Sequence, residues 1–412
     1  MDSLLQATAN TPAAQTHGSV TDVRPGLAII ANVMTPYRAN LHRLVAAGIP
    51  ELKLHTLVTH GVGDFDWSVA VPPEINTTNF STVGEHSLDN PLRRPIGEFR
   101  KAGRLIRYLK THEVKAVVFC FYRYLSYLRV MDYCYRADIP FWVNLDSNIR
   151  SEPHLSGLQS FIKRKLYEWW LKRASGVLSM GALGDQFFLK YGADPKRIYR
   201  VPYWPDFDAF TSYDEVALER LQRKFGLDRG RRYIMYSGRL VPEKRVDLLI
   251  DAFVAIAAER PDWDLLIVGH GPLSDELRRR VPETLRPRVV WTGFLEGTEN
   301  VLAFHAADML VLPSDQEPWA LVVQEAMAAG LVVVASNIVG AAHELVEDHV
   351  SGRIFAAGNL PQLIQAIRDV TDSAAFTRYN QRSQEAMASY RKNVQPVSEI
   401  RRALRDAGVL FG

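Results

Sequence analysis

The chain has 412 residues, beyond the length at which a single hydrophobic core stops growing, so two lobes with a cleft between them are expected. Hydrophobic residues at 47% and charged residues at 23% are ordinary globular values and exclude a coiled coil or wholesale disorder. With 49 basic and 46 acidic residues the formal net charge is only +3, which lacks the basic excess of a nucleic-acid coat, and no nucleic-acid partner is expected.

Residues 1–24 are rich in Ala, Thr, Ser and Gln and have neither the basic start nor the apolar stretch of a signal peptide, so they read as a flexible tail. From 26 to 33 (GLAIIANV) a β-rich apolar run leads into a loop with Pro36, Tyr37 and Arg38, then a helical pattern through Leu41, Leu44 and Val45. The runs at 52–59, 116–121 and 141–145 repeat the short strand signal, with helical stretches such as 97–110 between them. Alternation of this kind implies a parallel sheet covered on both faces. Two cysteines, Cys120 and Cys134, are too few for a disulfide framework, and Cys120 lies in an apolar run; a reducing, cytoplasmic setting follows. No window approaches the roughly 18 apolar residues that span a bilayer, so any membrane contact is expected to be peripheral.

At 201–210 (VPYWPDFDAF) two prolines and several aromatics interrupt all periodicity, which places the hinge there. A second series of strands follows at 233–238, 265–269, 289–292, 309–312 and 332–336, with amphipathic helices between them. The expected fold is α/β, with two doubly wound parallel-sheet domains. Their bounds are 25–205 for the N-terminal domain and 206–385 for the C-terminal one. Residues 386–412 are closing helices whose return to the first domain is left open.

The richest segment is 313–330, PSDQEPWALVVQEAMAAG, a polar loop running into a helix that Gly330 ends. Eight helical steps would separate Glu317 from Glu325 by roughly 12 Å, and less if Glu317 lies in the loop, a gap suited to a ligand with polar groups at both ends. Between them a helix N-terminus around Trp319 to Val322 offers unpaired amides, an anion site on which a diphosphate fits. Spacing alone favours a plainer account, with Glu317 drawn to the positive helix start and Glu325 on a solvated face.

Residues 237–245, SGRLVPEKR, lie at the carboxyl end of the first strand of the second lobe, where open α/β sheets bind ligands. Arg239 and Lys244 are the candidates for stabilising charge on an anionic leaving group, with a solvated basic turn as the alternative. In GHGP at 269–272, Gly269 and Gly271 permit close backbone approach to a ligand. The dinucleotide glycine spacing is missing and the loop at 32–38 has no glycine, so hydride transfer loses ground. Asp262 and Asp264 sit at the wrong end of their strand, and Asp206 with Asp208 makes an unconvincing metal site, so no obligatory metal or other cofactor is expected.

In the first lobe Asp146, Ser147 and Asn148 end a buried strand where they can meet a second substrate, and Asn32, Tyr37 and Arg38 share that placement. Ordinary loop capping accounts for them equally well. The stretch 159–173, QSFIKRKLYEWWLKR, mixes cations with aromatics at helical spacing. It suits either docking on anionic lipid or a helix whose aromatic face covers the sheet.

Taken in order, SGRLVPEKR, VGHGP, the pair Gly293 and Phe294, EPWALVVQEAMAAG and HELVEDHVSGRIF resemble the retaining two-lobed (GT-B) glycosyltransferases of family 4, the glycosyl transferases group 1. The ordered set spans the second lobe, while the first lobe matches only in outline. The resemblance implies two facing Rossmann-like lobes and transfer of a hexose-type sugar, with retention, from a UDP- or GDP-linked donor. It implies a lipid-linked or glycan acceptor in cell-surface polysaccharide biosynthesis, and no bound metal. It places Glu317 near the reacting carbon of the donor sugar, Glu325 on the ribose hydroxyls, Arg239 and Lys244 on the diphosphate, amides near Leu321 and Val322 beside it, and the backbone near Phe294 beside the nucleobase. Trp319 and Ala320 fall in the sugar-binding loop. Ala320 stands where many relatives have glycine, and VMTPYR replaces their glycine-rich first loop. A sugar-nucleotide epimerase of the same shape and a non-catalytic sugar-nucleotide scaffold are the alternatives, and intact Glu317 and Glu325 argue against the scaffold.

Overall fold

A computed structural model describes residues 24–61, 75, 77–81, 94–152 and 155–411. Apart from Arg24, the tail expected at 1–24 lies outside them. The first lobe is a seven-stranded sheet of β1 (Gly26–Ala31), β2 (Lys53–Val58), β3 (Thr77–Asn79), β4 (Val114–Phe119), β5 (Phe141–Asn144), β6 (Gly176–Ser179) and β7 (Ile198–Arg200), in the order β3-β2-β1-β4-β5-β6-β7. The second is a six-stranded sheet of β8 (Arg232–Ser237), β9 (Trp263–Val268), β10 (Val289–Gly293), β11 (Met309–Leu312), β12 (Val332–Ser336) and β13 (Gly352–Phe355), in the order β10-β9-β8-β11-β12-β13. Every pairing in both sheets is parallel.

Helices on both faces leave the central strands no contact with water, and this is why their sequences are unbroken apolar runs: all six residues of β1 and all five of β12 are buried. The doubly wound α/β architecture expected from the alternating runs is therefore the one observed. In each sheet the strand order reverses beside the first strand, β1 or β8, and a crevice for a ligand opens outside the carboxyl ends of the strands at such a switch point.

Residues 201–206 hold no regular element and lead into the short helix Phe207–Thr211. The segment is nonetheless packed: the Trp204 ring stacks on Tyr390 at 5.9 Å and meets Phe207 edge-on at 4.8 Å. Near its end the chain crosses between the lobes. Helix Ser373–Asn393 buries Phe376, Tyr379, Met387 and Tyr390 in the core of the second lobe. Helix Pro396–Asp406 instead buries Ile400, Ala403 and Leu404 against Leu27, Ile29 and Tyr199 of the first sheet. Two crossings therefore join the lobes, and they limit how freely one can turn against the other.

Candidate functional site

Between the lobes lies a cavity of about 780 Å³, within the size range of small-molecule sites. Its second-lobe wall comes from the carboxyl ends of β8, β9 and β11 and from the loop after β10; Pro36 and Tyr37 reach in from the first lobe. Arg239, Lys244, Gly269 and Phe294 line it, as do Glu317, Leu321, Val322 and Glu325.

The loop after β11 is held to the loop after β8. The amides of Asp315 and Gln316 donate to the Glu243 carbonyl at 2.9 and 3.4 Å, and the Arg245 guanidinium pairs with Asp315 at 2.8 Å. The Lys244 ammonium meets a Glu317 carboxylate oxygen at 2.5 Å, with the two side chains 15% and 14% exposed. Water is thus largely excluded from this pair, and each charge is satisfied by the other.

The helix begins at Leu321, inside the range 319–322 expected from the sequence. Ala320 precedes it at φ 72°, ψ 78°, in the left-handed region that costs a residue with a Cβ about 1–2 kcal/mol. Trp319 is 3% exposed and donates its indole N–H to Gln324 at 3.0 Å, so its ring belongs to the second-lobe core. Neither Trp319 nor Ala320 is on the cavity wall. Four helical steps, about 6 Å of rise, carry the chain from Leu321 to Glu325, in place of the eight steps counted from Glu317. Leu321, Val322 and Glu325 therefore share one helix face, with the amides of Leu321 and Val322 and the positive dipole end beside the carboxylate.

Glu325 is not on a solvated face. It faces the cavity, and burial alone pushes its carboxyl from the usual 4.5 to about 7. Among the described residues no side-chain hydrogen bond or ion pair to Glu325 is found, and burial is the cause of the shift.

The glycine pair also has a packing role. A Cβ on Gly269 would land on the Gly238 carbonyl and one on Gly271 on the Leu240 carbonyl, so both glycines let the loops after β8 and β9 cross in contact. Gly269 still lines the cavity; Gly271 does not.

Of the six first-lobe candidates, Tyr37 alone is on the cavity wall, its ring 4.5 Å from that of Tyr203. Arg38 is 9% exposed and donates to Asn32 Oδ1 at 2.7 Å and to the Val33 carbonyl at 2.8 Å, so it binds its own loop. Burial raises the Asp146 carboxyl above its ordinary range, against the pull of Arg38. Ser147 is half-buried and off the cavity wall. Asn148 spends its amide on the second lobe, donating to the carbonyls of Pro318 at 3.2 Å and Ile338 at 2.8 Å.

Asp264 is clamped by Arg231 and Arg288 and is structural. Asp208 pairs with Arg391 at 2.8 Å, whereas Asp206 lines the cavity. Sequence reasoning missed the wall that the hinge supplies, Phe210, Tyr213 and Asp214, and the Ser151 hydroxyl that accepts the Glu317 amide at 2.9 Å. No spacing marks them, because only tertiary packing brings them to the site.

Residues 218–393 match the family model described as Glycosyl transferases group 1. The chain is 25% identical over 277 residues to alpha-D-kanosaminyltransferase of Streptomyces kanamyceticus, an alignment covering 66% of this chain and 68% of that protein. It is 31% identical over 184 residues to the lipopolysaccharide core biosynthesis mannosyltransferase LpsB of Rhizobium meliloti, covering 43% of this chain and 48% of that protein, so the second match spans about half of its relative. Among solved structures, Anabaena Alr3699/HepE in complex with UDP and glucose superposes with a TM-score of 0.72 at 18% identity, over 94% of this chain and 100% of that one, and so shares the fold.

Burial of Glu325 has a sign in stability. Its carboxyl titrates near 7 when folded and near 4.5 otherwise, so the folded chain binds the proton more tightly. The stability this group contributes is full below about pH 4.5 and is lost as pH rises through about 7. Relative to Glu325→Gln, the wild type should lose about 1–3 kcal/mol between pH 4.5 and 8, less than a dry site would give because the cavity admits water. Denaturant melts of both proteins across that range check this, and parallel curves would contradict it.

Proposed function

We propose the following reaction for this chain, which belongs to the glycosyl transferases group 1 and is a nucleotide-sugar-dependent glycosyltransferase of the GT-B fold. It moves a sugar from a UDP- or GDP-linked donor to a glycan or lipid-linked acceptor, with retention of anomeric configuration, in the assembly of a cell-surface polysaccharide. One observation carries the reading. A single cavity holds an uncommitted carboxylate, Glu325, the first amides of its helix, and the Lys244–Glu317 pair beyond them.

That sequence of groups complements the parts of a sugar nucleotide in order. Glu325, once ionised, accepts from the ribose hydroxyls. The diphosphate sits on the amides of Leu321 and Val322, with Lys244 and Arg239 balancing the charge that grows on it as its bond to the sugar breaks. Lys244 then turns from Glu317 to phosphate, which frees the Glu317 carboxylate for the donor sugar beside the reacting carbon. The nucleobase lies along the backbone near Phe294. The acceptor approaches from the first lobe, past Tyr37. One relative is named for transfer of a kanosaminyl sugar and another for mannosyl transfer in lipopolysaccharide core biosynthesis, the second of which is assembly of a cell-surface glycan.

A thermal-shift screen of UDP, GDP, ADP and their sugar conjugates, with and without chelator, tests this. Either UDP or GDP should raise the melting temperature by several degrees, since ligand at a hundredfold excess over Kd stabilises the folded state by about 2.7 kcal/mol, and the shift should survive chelation. No shift with any nucleotide would contradict the reading.

The helix Gly157–Leu171 bears on location. Its inner face buries Tyr167 and Trp170 in the first-lobe core, while Leu158, Phe161 and Ile162 are 70%, 58% and 58% exposed beside Arg164 and Lys165. Among the described residues no helix is long and apolar enough to cross a membrane. This apolar patch with a basic rim docks the enzyme on anionic lipid at the cytoplasmic face. The protein should sediment with anionic vesicles at low salt and Phe161→Glu should not; failure of the wild type to sediment would count against docking.

A further inference from the structure

The loop that follows β5 in the first lobe grips the loop that carries Glu317 in the second. Asn148, 3% exposed, uses every hydrogen-bonding position of its amide. Its oxygen accepts from the amides of Arg150 at 2.8 Å and Ser151 at 3.3 Å, which folds its own loop; its nitrogen donates across the cleft to the carbonyls of Pro318 at 3.2 Å and Ile338 at 2.8 Å. Ser151, 9% exposed, accepts the Glu317 amide on its hydroxyl at 2.9 Å. Glu317 and the residue after it are thus both bonded through their backbones to the opposite lobe.

The second lobe prepares this contact. Gly340 has no Cβ, and one there would collide with the Pro318 carbonyl and lie 3.2 Å from the Asn148 amide nitrogen. The Ala341 amide donates to the Trp319 carbonyl at 2.7 Å. Upstream, the loop is held by its own lobe through Glu243 and Lys244. Glu317 is the residue at which the two sets of bonds meet. Two other contacts between the lobes, Arg150 to the Asn337 carbonyl at 3.1 Å and the Ala182 amide to Glu344 at 2.6 Å, leave this loop untouched.

We propose that Asn148 and Ser151 are positioning residues that make the placement of Glu317 conditional on the lobes being together. This rests on the proposed role of Glu317 at the donor sugar. When the lobes part, the Glu317 amide and the Pro318 carbonyl pass to water, while Lys244, Arg239 and the first amides of the Leu321–Ala328 helix stay with the second lobe. The donor is therefore held in either state, but Glu317 is fixed for chemistry only on closure, which suppresses loss of the sugar to water before an acceptor arrives. An amide and a hydroxyl in the first lobe thereby act on the donor half of the reaction.

The test compares Ser151→Ala, Asn148→Ala, Glu317→Gln and the double variants, reading kcat and donor Kd, with melts to establish folding. Each alanine variant should lower kcat about tenfold or more while leaving donor Kd within about twofold, because positioning errors act on the chemical step. In the Glu317→Gln background neither should lower the residual turnover further. Near-normal kcat for Ser151→Ala beside an inactive Glu317→Gln would overturn the inference and leave the function standing. The same holds for a full further loss in the double variant, or for a donor Kd that rises in step with the loss of kcat. Near-normal turnover of Glu317→Gln would overturn the role of Glu317 and the inference with it. If Asn148→Ala does not fold, Ser151→Ala carries the test, since it removes one hydroxyl and no volume to speak of.

Discussion

The Lys244–Glu317 ion pair, at 2.5 Å and with about one-seventh of each side chain exposed, is the contact on which the site depends. It joins the loop after β8 to the loop after β11, and these two loops carry both cations that face the cavity, Arg239 and Lys244, together with Glu317. A pair so far out of water gives up much of its Coulombic gain to desolvation. It is therefore poorly explained as a device for stability. On the proposed function it is a charge arrangement that an anionic ligand exchanges: a diphosphate would give Lys244 a second partner and leave the carboxylate free.

The same constraint sets what the lobes contribute. The second lobe alone supplies the cations, the helix Leu321–Ala328 and the Glu325 carboxylate of the cavity wall. The first lobe supplies Tyr37 to the wall and, through Asn148 and Ser151, backbone bonds to the Glu317 loop. The family model matches residues 218–393, within the second lobe and its closing helix, and no part of the first sheet.

Most of the fold was legible because the central strands are buried on both faces and must be continuous apolar runs. The strands that escaped notice lack a long apolar run: β3 (TTN) and β7 (IYR) have three residues and no such run, and β6 (GVLS) and β13 (GRIF) have only two large apolar residues in succession, against FWV in β5 and MLVL in β11. Arg239, Lys244, Glu317 and Glu325 were legible for a related reason, since strand ends in an open α/β sheet fix where a motif must face. Trp319, Gly271 and Asn148 were misplaced by one step of the same reasoning. Each lies in a motif at the cleft, yet its side chain, or the lack of one, serves packing against the other loop or lobe. Nothing in the sequence announces the desolvation of Glu325 or the hydroxyl of Ser151 on the Glu317 amide, because both arise from residues distant in the chain.

The most direct measurement is calorimetric titration of UDP and GDP into the wild type and Lys244→Ala at fixed pH and salt. Loss of the ammonium should weaken the nucleotide that binds by about 1–3 kcal/mol, roughly ten- to a hundredfold in Kd, as expected for a charged hydrogen bond in a partly dry site. Equal affinity for the two proteins would show that the diphosphate does not take Lys244 from Glu317, and the exchange of partners proposed for this pair would be wrong.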